Sequence, residues 1–402
     1  MRRKLSFLGC IVLLVALTPD IAAACAALFS AEAQVRQSAQ RIIFAVDKAQ
    51  GKVEAYVSVN YVGAAEEFAW VVPLPNNPQV DVIEAASFNT LELATNPRFL
   101  FPQRTCQTFD EISRSLDGRT GSAPPGSGVD VLQQGQVGPY DFSVVGGTNG
   151  GDITDWLRQN GYRVTQPMEP LITSYTDMGM VFLAMKLQGG KEAGDIQPVK
   201  MTFDAQQAMI PLRLAAVGAQ PDTELLVWVF ADRQVAPENM QRLTIPDEQI
   251  GVASFRGENN YAERVTAALQ QANGQGLVTE VAQPVTALNN VQDPLISQLR
   301  QRFPYVTRMY GRFDPEQMTI DPMFALQDGL NDIAITRDFR NRVEPYECGD
   351  RSVIPIAEQS VLADSPQGMW IEWRSTLLFI GGAMLVIVLI VVGVRSLRRR
   401  AR

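Results

Sequence analysis

Side chains that commonly carry chemistry are thinly spread in this chain, and histidine is absent altogether. That removes the usual general base of serine and cysteine hydrolases, the commonest zinc ligand and the usual pH sensor. Chemistry would fall to carboxylates, Tyr, Lys or Arg. Glu66 and Glu67 are adjacent at the start of an apolar run. Neighbours in a strand point to opposite faces, so this pair does not converge on one substrate and reads as a solvated turn. Asp152 and Asp155, close to Asn149, offer oxygen donors of the calcium-binding type, but the D-x-[DN]-x-[DN]-G loop is missing. A helix N-terminus explains both, with Asp152 as its cap. Gly189-Gly190-Lys191 lacks the upstream glycine and the following Ser or Thr of a phosphate loop, and reads as a hairpin turn. Gly146, Gly147, Gly150 and Gly151 do not fit G-x-G-x-x-G, and no G-x-S-x-G occurs. Asp314-Pro315 and Asp321-Pro322 each look like the start of a helix or turn, Asp capping and Pro in first place. The sequence therefore assigns no catalytic residue, no metal ligand and no cofactor.

Both ends of the chain carry topological signals. Arg2, Arg3 and Lys4 precede the apolar stretch Leu5 to Leu17, and Ala22-Ala23-Ala24 is an A-x-A cleavage site, the three-part pattern of a secretory leader over residues 1–24. At the other end Thr376 to Val394 is nineteen uncharged, mostly apolar residues. At ~1.5 Å per residue such a segment spans the ~30 Å hydrocarbon core of a bilayer. Trp370 and Trp373 stand at the near interface, and Arg395, Arg398, Arg399 and Arg400 follow in a basic tail that marks the cytoplasmic side. The bulk of the chain is expected outside the cell membrane.

An exported chain keeps Cys25, Cys106 and Cys348 in an oxidising compartment, Cys10 leaving with the leader. Three cysteines cannot all pair within one chain. Cys106–Cys348 is the favoured disulfide, with Cys25 trimmed, lipidated or free; Cys25–Cys106 is the rival. Charge adds an exclusion. Of the 43 acidic side chains all but Asp20 fall between residues 25 and 374, whereas eight of the 35 basic ones lie in the two termini, so this stretch is about fifteen charges negative. Nucleic acid, which needs a basic footprint, is not an expected partner. A hydrophobic content of 46% with 19% charged residues describes a folded chain.

The elements that would position any site are mostly strands in the first half. Arg41 to Val46 and the alternating run Lys52 to Val62 read as a hairpin, and Phe68 to Val72 as a strand stopped by Pro73 and Pro75. Ser87 to Ala94 reads as a short helix ended by Asn96-Pro97. Gly118 to Gly128 is a loop of Gly, Ser and Pro; Gln136 to Val145 reads as one strand, and a helix through Trp156 and Leu157 would end at Gly161. Met180 to Leu187, Met201 to Val217 and Leu225 to Ala231 supply further strands. Beyond Pro237 the amphipathic segments Tyr261 to Ala272 and Asp293 to Phe303 predict helices with few strand signals between them. Val53–Val72 and Ile210–Phe230 share a strand, a turn and a Trp-bearing strand (Trp70, Trp228), better read as unrelated hairpins than as a duplication. Trp70, Trp228, Phe68 and Phe230 are expected in the core.

Several segments together are familiar: Cys25 near the mature start, RIIFAVD (Arg41–Asp47), FAWVVPLP (Phe68–Pro75), VGPYDFSVV (Val137–Val145), DWLRQNGY (Asp155–Tyr162) and VTRMYGRFDPEQMTIDPMF (Val306–Phe324). They resemble a bacterial family known as domain of unknown function 2330, over most of residues 25–345. The resemblance implies an exported, often membrane-anchored protein and no established activity, cofactor or catalytic residue. Relatives often carry a second Cys shortly after the first, where this chain has Ser30.

The expected fold is α+β: a strand-rich region with a mixed or antiparallel sheet (25–235), a more helical region (236–345), a stalk (346–375), one transmembrane helix (376–394) in the lipid bilayer and a cytoplasmic tail (395–402). The expected role is a non-enzymatic binding or structural module of the cell envelope with an envelope partner. The alternative is an envelope hydrolase acting on glycans or peptides through paired carboxylates.

Overall fold

Near-continuous apolar runs build the centre of the structure, because a strand covered on both faces buries successive side chains. The computed structural model describes residues 21–23, 27–28, 36–62, 68–102, 130–252, 259–342, 347–348 and 351–352. Two short strands, β1 (Ile21–Ala23) and β2 (Ala27–Leu28), precede the antiparallel hairpin of β3 (Arg36–Asp47) and β4 (Lys52–Val62). Next come β5 (Ala69–Leu74), the half-exposed β6 (Gln79–Val82), helix α1 (Ala86–Thr95) and β7 (Arg98–Leu100). The run expected as one strand over Gln136 to Val145 is a hairpin of β8 (Asp130–Val137) and β9 (Tyr140–Gly146). It reverses at Gly138, whose φ of +53° suits a residue without a Cβ.

Helix α2 (Gly150–Gln159) is capped by Asn149, not by Asp152. The Asn149 Oδ1 accepts the Gly151 N–H at 2.8 Å, and Asp152 sits in the first turn, where the helix dipole favours an anion. Gly161 ends it at φ +71°, its N–H on the Arg158 carbonyl (3.0 Å) and the Tyr162 N–H on that of Leu157 (2.8 Å). After α3 (Glu169–Asp177) and β10 (Val181–Leu187), the Gly189-Gly190 turn leads into a different sheet, so it joins no hairpin. The strand expected over Met201 to Val217 is broken into β11 (Val199–Asp204), β12 (Gln207–Met209) and the one-turn helix α4 (Leu212–Ala215), which follows Pro211. Then come β13 (Ala219–Ala231), β14 (Val235–Pro237), β15 (Gln241–Leu243), α5 (Tyr261–Gln271), β16 (Gly276–Pro284), α6 (Pro294–Arg302), β17 (Tyr305–Phe313), β18 (Met323–Leu326) and β19 (Thr336–Asp338).

The fold is α+β with mixed and antiparallel sheets. An eight-stranded sheet has the order β15-β16-β17-β13-β3-β4-β11-β6, parallel at β13/β3 and β15/β16 and antiparallel elsewhere. An antiparallel sheet of five has the order β2-β5-β10-β9-β8, and a four-stranded sheet the order β1-β12-β18-β14. Ile42, Phe44, Val53, Val57, Val227 and Met309 of the large sheet meet Phe68, Trp70, Val72, Val144 and Leu183 of the five-stranded one in one core. The other face of the five-stranded sheet is covered by α2 and α3 through Ile153, Trp156, Leu157, Ile172 and Tyr175. The other face of the eight-stranded sheet is covered by α1 and α6 through Phe88, Leu91, Ile296 and Leu299, against Ile43, Trp228 and Phe230. The result is four layers, helix, sheet, sheet and helix. Trp70 is buried between the two sheets and Trp228 under the helices α1 and α6.

The region from 236 onward is not a separate helical part. Helices α5 and α6 form as expected, but β16 and β17 between and after them pair with β13 inside the large sheet. Among the described residues, those up to Arg98, 130–250 and 261–336 belong to one compact unit, and those from Phe99 to Pro102, within 251–260 and from Arg337 onward to a second, smaller one. In the smaller unit the Phe99 and Phe101 rings lie 6.2 and 5.4 Å from that of Phe339, and the Arg342 guanidinium lies 3.7 Å from the Phe339 ring centre. Among the described residues no helix is long and apolar enough to cross a membrane. The expected span 376–394, Trp370, Trp373 and the basic tail lie outside them, as do Cys25, Cys106, Glu66, Glu67 and most of the leader. Cys348 ends a two-residue strand, Glu347–Cys348, paired with Arg351–Ser352.

The α2–α3 contact depends on a missing side chain. A Cβ on Gly150 would meet the Thr173 Cα at 2.5 Å. Gly150→Ala is therefore expected to lower stability by about 1–3 kcal/mol through overpacking, read as a lower urea midpoint at unchanged slope.

Candidate functional site

The centre of the large sheet holds charges where alternation alone would place apolar residues. Arg308 lies in the middle of β17, opposite Trp228, on the face covered by α1 and α6. Its carboxylate partner, Glu280, is the extra residue of a β-bulge in β16: Thr279 faces Met309, Val281 faces Arg308, and Glu280 is left over between them. Arg308 Nε donates to Glu280 Oε2 at 2.8 Å, with Glu280 6% and Arg308 5% exposed. The remaining guanidinium donors reach the Glu92 carbonyl and Thr95 Oγ1 (both 3.2 Å) and Asn96 Oδ1 (3.4 Å), so the end of α1 closes over the pair. Trp228 Nε1 donates to the same Thr95 hydroxyl at 2.8 Å, and the Tyr261 hydroxyl reaches Glu280 Oε1 at 3.3 Å.

A second carboxylate, Asp321, organises the contact between α3, α4 and the approach to β18. It accepts the Tyr175 hydroxyl at 2.8 Å and both Nε and the backbone N–H of Arg213 at 2.9 Å. Asp321 was expected to cap a turn of its own; instead it holds the one-turn helix α4 to α3. Asp314 does start a turn, its N–H donating to Gln317 Oε1 at 2.9 Å in a capping box. Tyr175 is fully buried, and burial together with Asp321 pushes its hydroxyl far above the ordinary tyrosine range. It is not a base at neutral pH.

A third cluster lies on β4. Glu54 accepts the Tyr56 hydroxyl at 2.6 Å and Arg302 Nη1 through both oxygens at 2.9 and 3.0 Å, with Lys200 Nζ at 3.6 Å. Burial works to raise the Glu54 pKa, but the hydrogen bonds from Arg302 and Tyr56 and the charges of Lys200 and Arg302 outweigh it and hold the carboxyl below its usual value. The buried Asp293 caps α6 by accepting the Ile296 N–H at 2.9 Å and also takes the Ser87 hydroxyl at 2.9 Å. Burial lowers the pKa of the Lys186 amine, on β10, to about 8. Its ammonium lies 4.5 Å from the centre of the Tyr162 ring and donates to the Asn160 carbonyl at 2.6 Å, at the C-terminal end of α2, where a cation is favoured.

Chemically, these clusters are fastened. The oxygens of Glu280, Asp321, Glu54 and Asp293 already accept from guanidinium, phenol, hydroxyl or backbone donors, which leaves poor access to a substrate proton. Among the described residues no three His, Cys, Asp or Glu side chains come together as a metal-ligand set. Of the residues weighed from sequence, Asn149 and Asp152 serve the start of α2, Asp155 faces Arg158 at 3.9 Å, and Asp321 alone joins a buried network. Glu280, Arg308, Arg213 and Glu54 went unnoticed. The signal for two of them was present: a lone acid within LVTEVA and a lone base within YVTRMY, each inside an otherwise strand-like run.

Removing one member of the Arg308–Glu280 pair strands the other. Arg308→Met is expected to cost about 3–5 kcal/mol, and Arg308→Met with Glu280→Leu to recover most of it, both read by denaturant unfolding. Glu54 adds a pH dependence. Its folded pKa lies below the unfolded one, so its contribution is present above the unfolded pKa, near 4.5, and is lost as pH falls through the folded value. Glu54→Gln should flatten the acid limb of a stability–pH curve relative to the parent.

Compared with known proteins, the chain matches neither a curated protein nor a solved structure. It does match one family profile across residues 19–325, a stretch that contains the large sheet, the four fastened carboxylates and both helical layers. With more than half of its length so matched, the chain belongs to the family described as "Uncharacterized protein conserved in bacteria (DUF2330)".

Proposed function

We propose that this chain is a membrane-anchored extracytoplasmic protein that serves as a non-enzymatic binding or structural module of the bacterial cell envelope. The observation that carries the non-enzymatic part is the saturation of its buried and half-buried carboxylates. Glu280 is held by Arg308, Asp321 by Arg213 and Tyr175, Glu54 by Arg302 and Tyr56, and Asp293 by the start of α6. A glycosidase-like pair needs one carboxyl free to donate a proton and another free to attack or to activate water. Carboxylates locked by cationic donors are poorly suited to either task, which weakens the reading as a hydrolase of glycans or peptides.

The anchored topology rests on the sequence: the leader over 1–24, the apolar run 376–394 between Trp370, Trp373 and the arginines, and the negative charge of the intervening stretch. Cleavage after Ala24 would remove β1, which pairs in parallel with β12, and leave the other three strands of that sheet in place. Cys106–Cys348 remains the favoured disulfide in this compartment, with Cys25–Cys106 as its rival.

In this reading, protease added to spheroplasts degrades the region between residues 25 and 374 while a tag after Arg402 survives on a short membrane-bound fragment. Protection of that region until the cells are lysed would sink the orientation. The purified full-length chain in detergent should also bind isolated envelope fragments saturably. Retention equal to that on bare resin would remove the binding role.

A further inference from the structure

The arginines at the centres of the three networks each face a carboxylate; Arg242 does not. It lies on β15, an edge strand of the large sheet, and is half-buried. Its Nε is enclosed by protein and has no acceptor. With the Gln234 amide turned so that both its ends are satisfied, Gln234 Oε1 accepts from Arg242 Nη2 at 3.1 Å and its nitrogen donates to the Asn331 carbonyl at 3.3 Å. Gln234 is itself buried, and its backbone carbonyl accepts the Gln327 N–H at 2.9 Å, so this support is rigid. The nearby Tyr305 hydroxyl donates to Asp332 at 2.6 Å, which engages that carboxylate with a neutral partner. Among the described residues no carboxylate comes within ion-pair distance of Arg242. Burial works against its charge, only partly offset by Tyr305.

A guanidinium taken partly out of water with no counter-charge is costly, and a bound anion would offset that cost. The planar fork suits two-oxygen groups. We propose that Arg242, braced by Gln234, is a binding site for an oxyanion group, a carboxylate or a phosphoryl group carried by a ligand of this protein. The site stands whether or not the chain is anchored as proposed above.

The test uses the full-length chain in detergent, with melting temperature followed as sodium chloride is replaced by inorganic phosphate or by acetate at constant ionic strength, since screening alone shifts surface electrostatics. The wild type should show a saturable rise with at least one of the two anions. A stronger response to phosphate assigns a phosphoryl ligand, and a stronger response to acetate a carboxylate. In Arg242→Met the apparent affinity should fall by about tenfold or more, while the melting temperature in chloride stays at or above the wild-type value because an unpaired charge has gone. Arg242→Lys, which keeps the charge without the fork, should retain a weakened response. The proposal is overturned by no anion response in the wild type, by an equal response in Arg242→Met, or by a drop in the melting temperature of Arg242→Met in chloride, which would show the charge already compensated within the protein.

Discussion

The Arg308–Glu280 pair is the constraint around which the large sheet and its helical cover are arranged. An ion pair this deep is tolerated only if nearly every donor and acceptor on it is matched, because each unmatched group costs its full desolvation. The matching groups come from far along the chain. The bulge in β16 supplies the carboxylate, β17 the guanidinium, and the C-terminal end of α1 the carbonyl and side-chain oxygens. Trp228, tied to the same Thr95 hydroxyl and 5.9 Å from the Arg308 guanidinium, brings in β13. Four elements are thereby set in one register, which a purely apolar contact would specify less sharply.

The bulge solves a geometric problem in β16. Strict alternation would send either Glu280 or Val281 into the core between the two sheets. The extra residue lets both lie on the helix side, Glu280 toward Arg308 and Val281 among the residues packed under α1 and α6. The charge is thus kept out of the layer where Trp70, Phe44 and Met309 pack without polar relief. The Asp321 network does similar service on the opposite side, fastening α4 to α3 where a one-turn helix has little stability of its own.

The same economy bears on function. Glu280, Asp321, Glu54 and Asp293 are consumed in holding layers together, whereas Arg242 faces no carboxylate among the described residues. The family profile over residues 19–325 takes in both large sheets and their helical cover.

Strands and helices whose pattern is local were legible in the residues. The β3–β4 hairpin follows from the alternation after Lys52, α1 ends where Asn96-Pro97 requires it, and α5 and α6 show their amphipathic spacing. Local pattern misled where a turn or a distant partner decided the outcome. Gly138 turned one expected strand into two, and Pro211 led a strand into a helix. Asn149 took the cap that Asp152 was expected to hold, since its side chain lies outside the first turn and faces the free N–H groups. Asp321 has a sequence signal for a turn but serves a buried-to-half-buried network instead. By itself the sequence determined the fold class, the family and the strand-forming and helix-forming segments, because backbone preference and amphipathic period act within a few residues. Only the tertiary structure decided that residues beyond 236 complete the large sheet, and which charges meet. Those pairings join positions tens to hundreds of residues apart, and their energy comes from desolvation that exists only once the layers have closed.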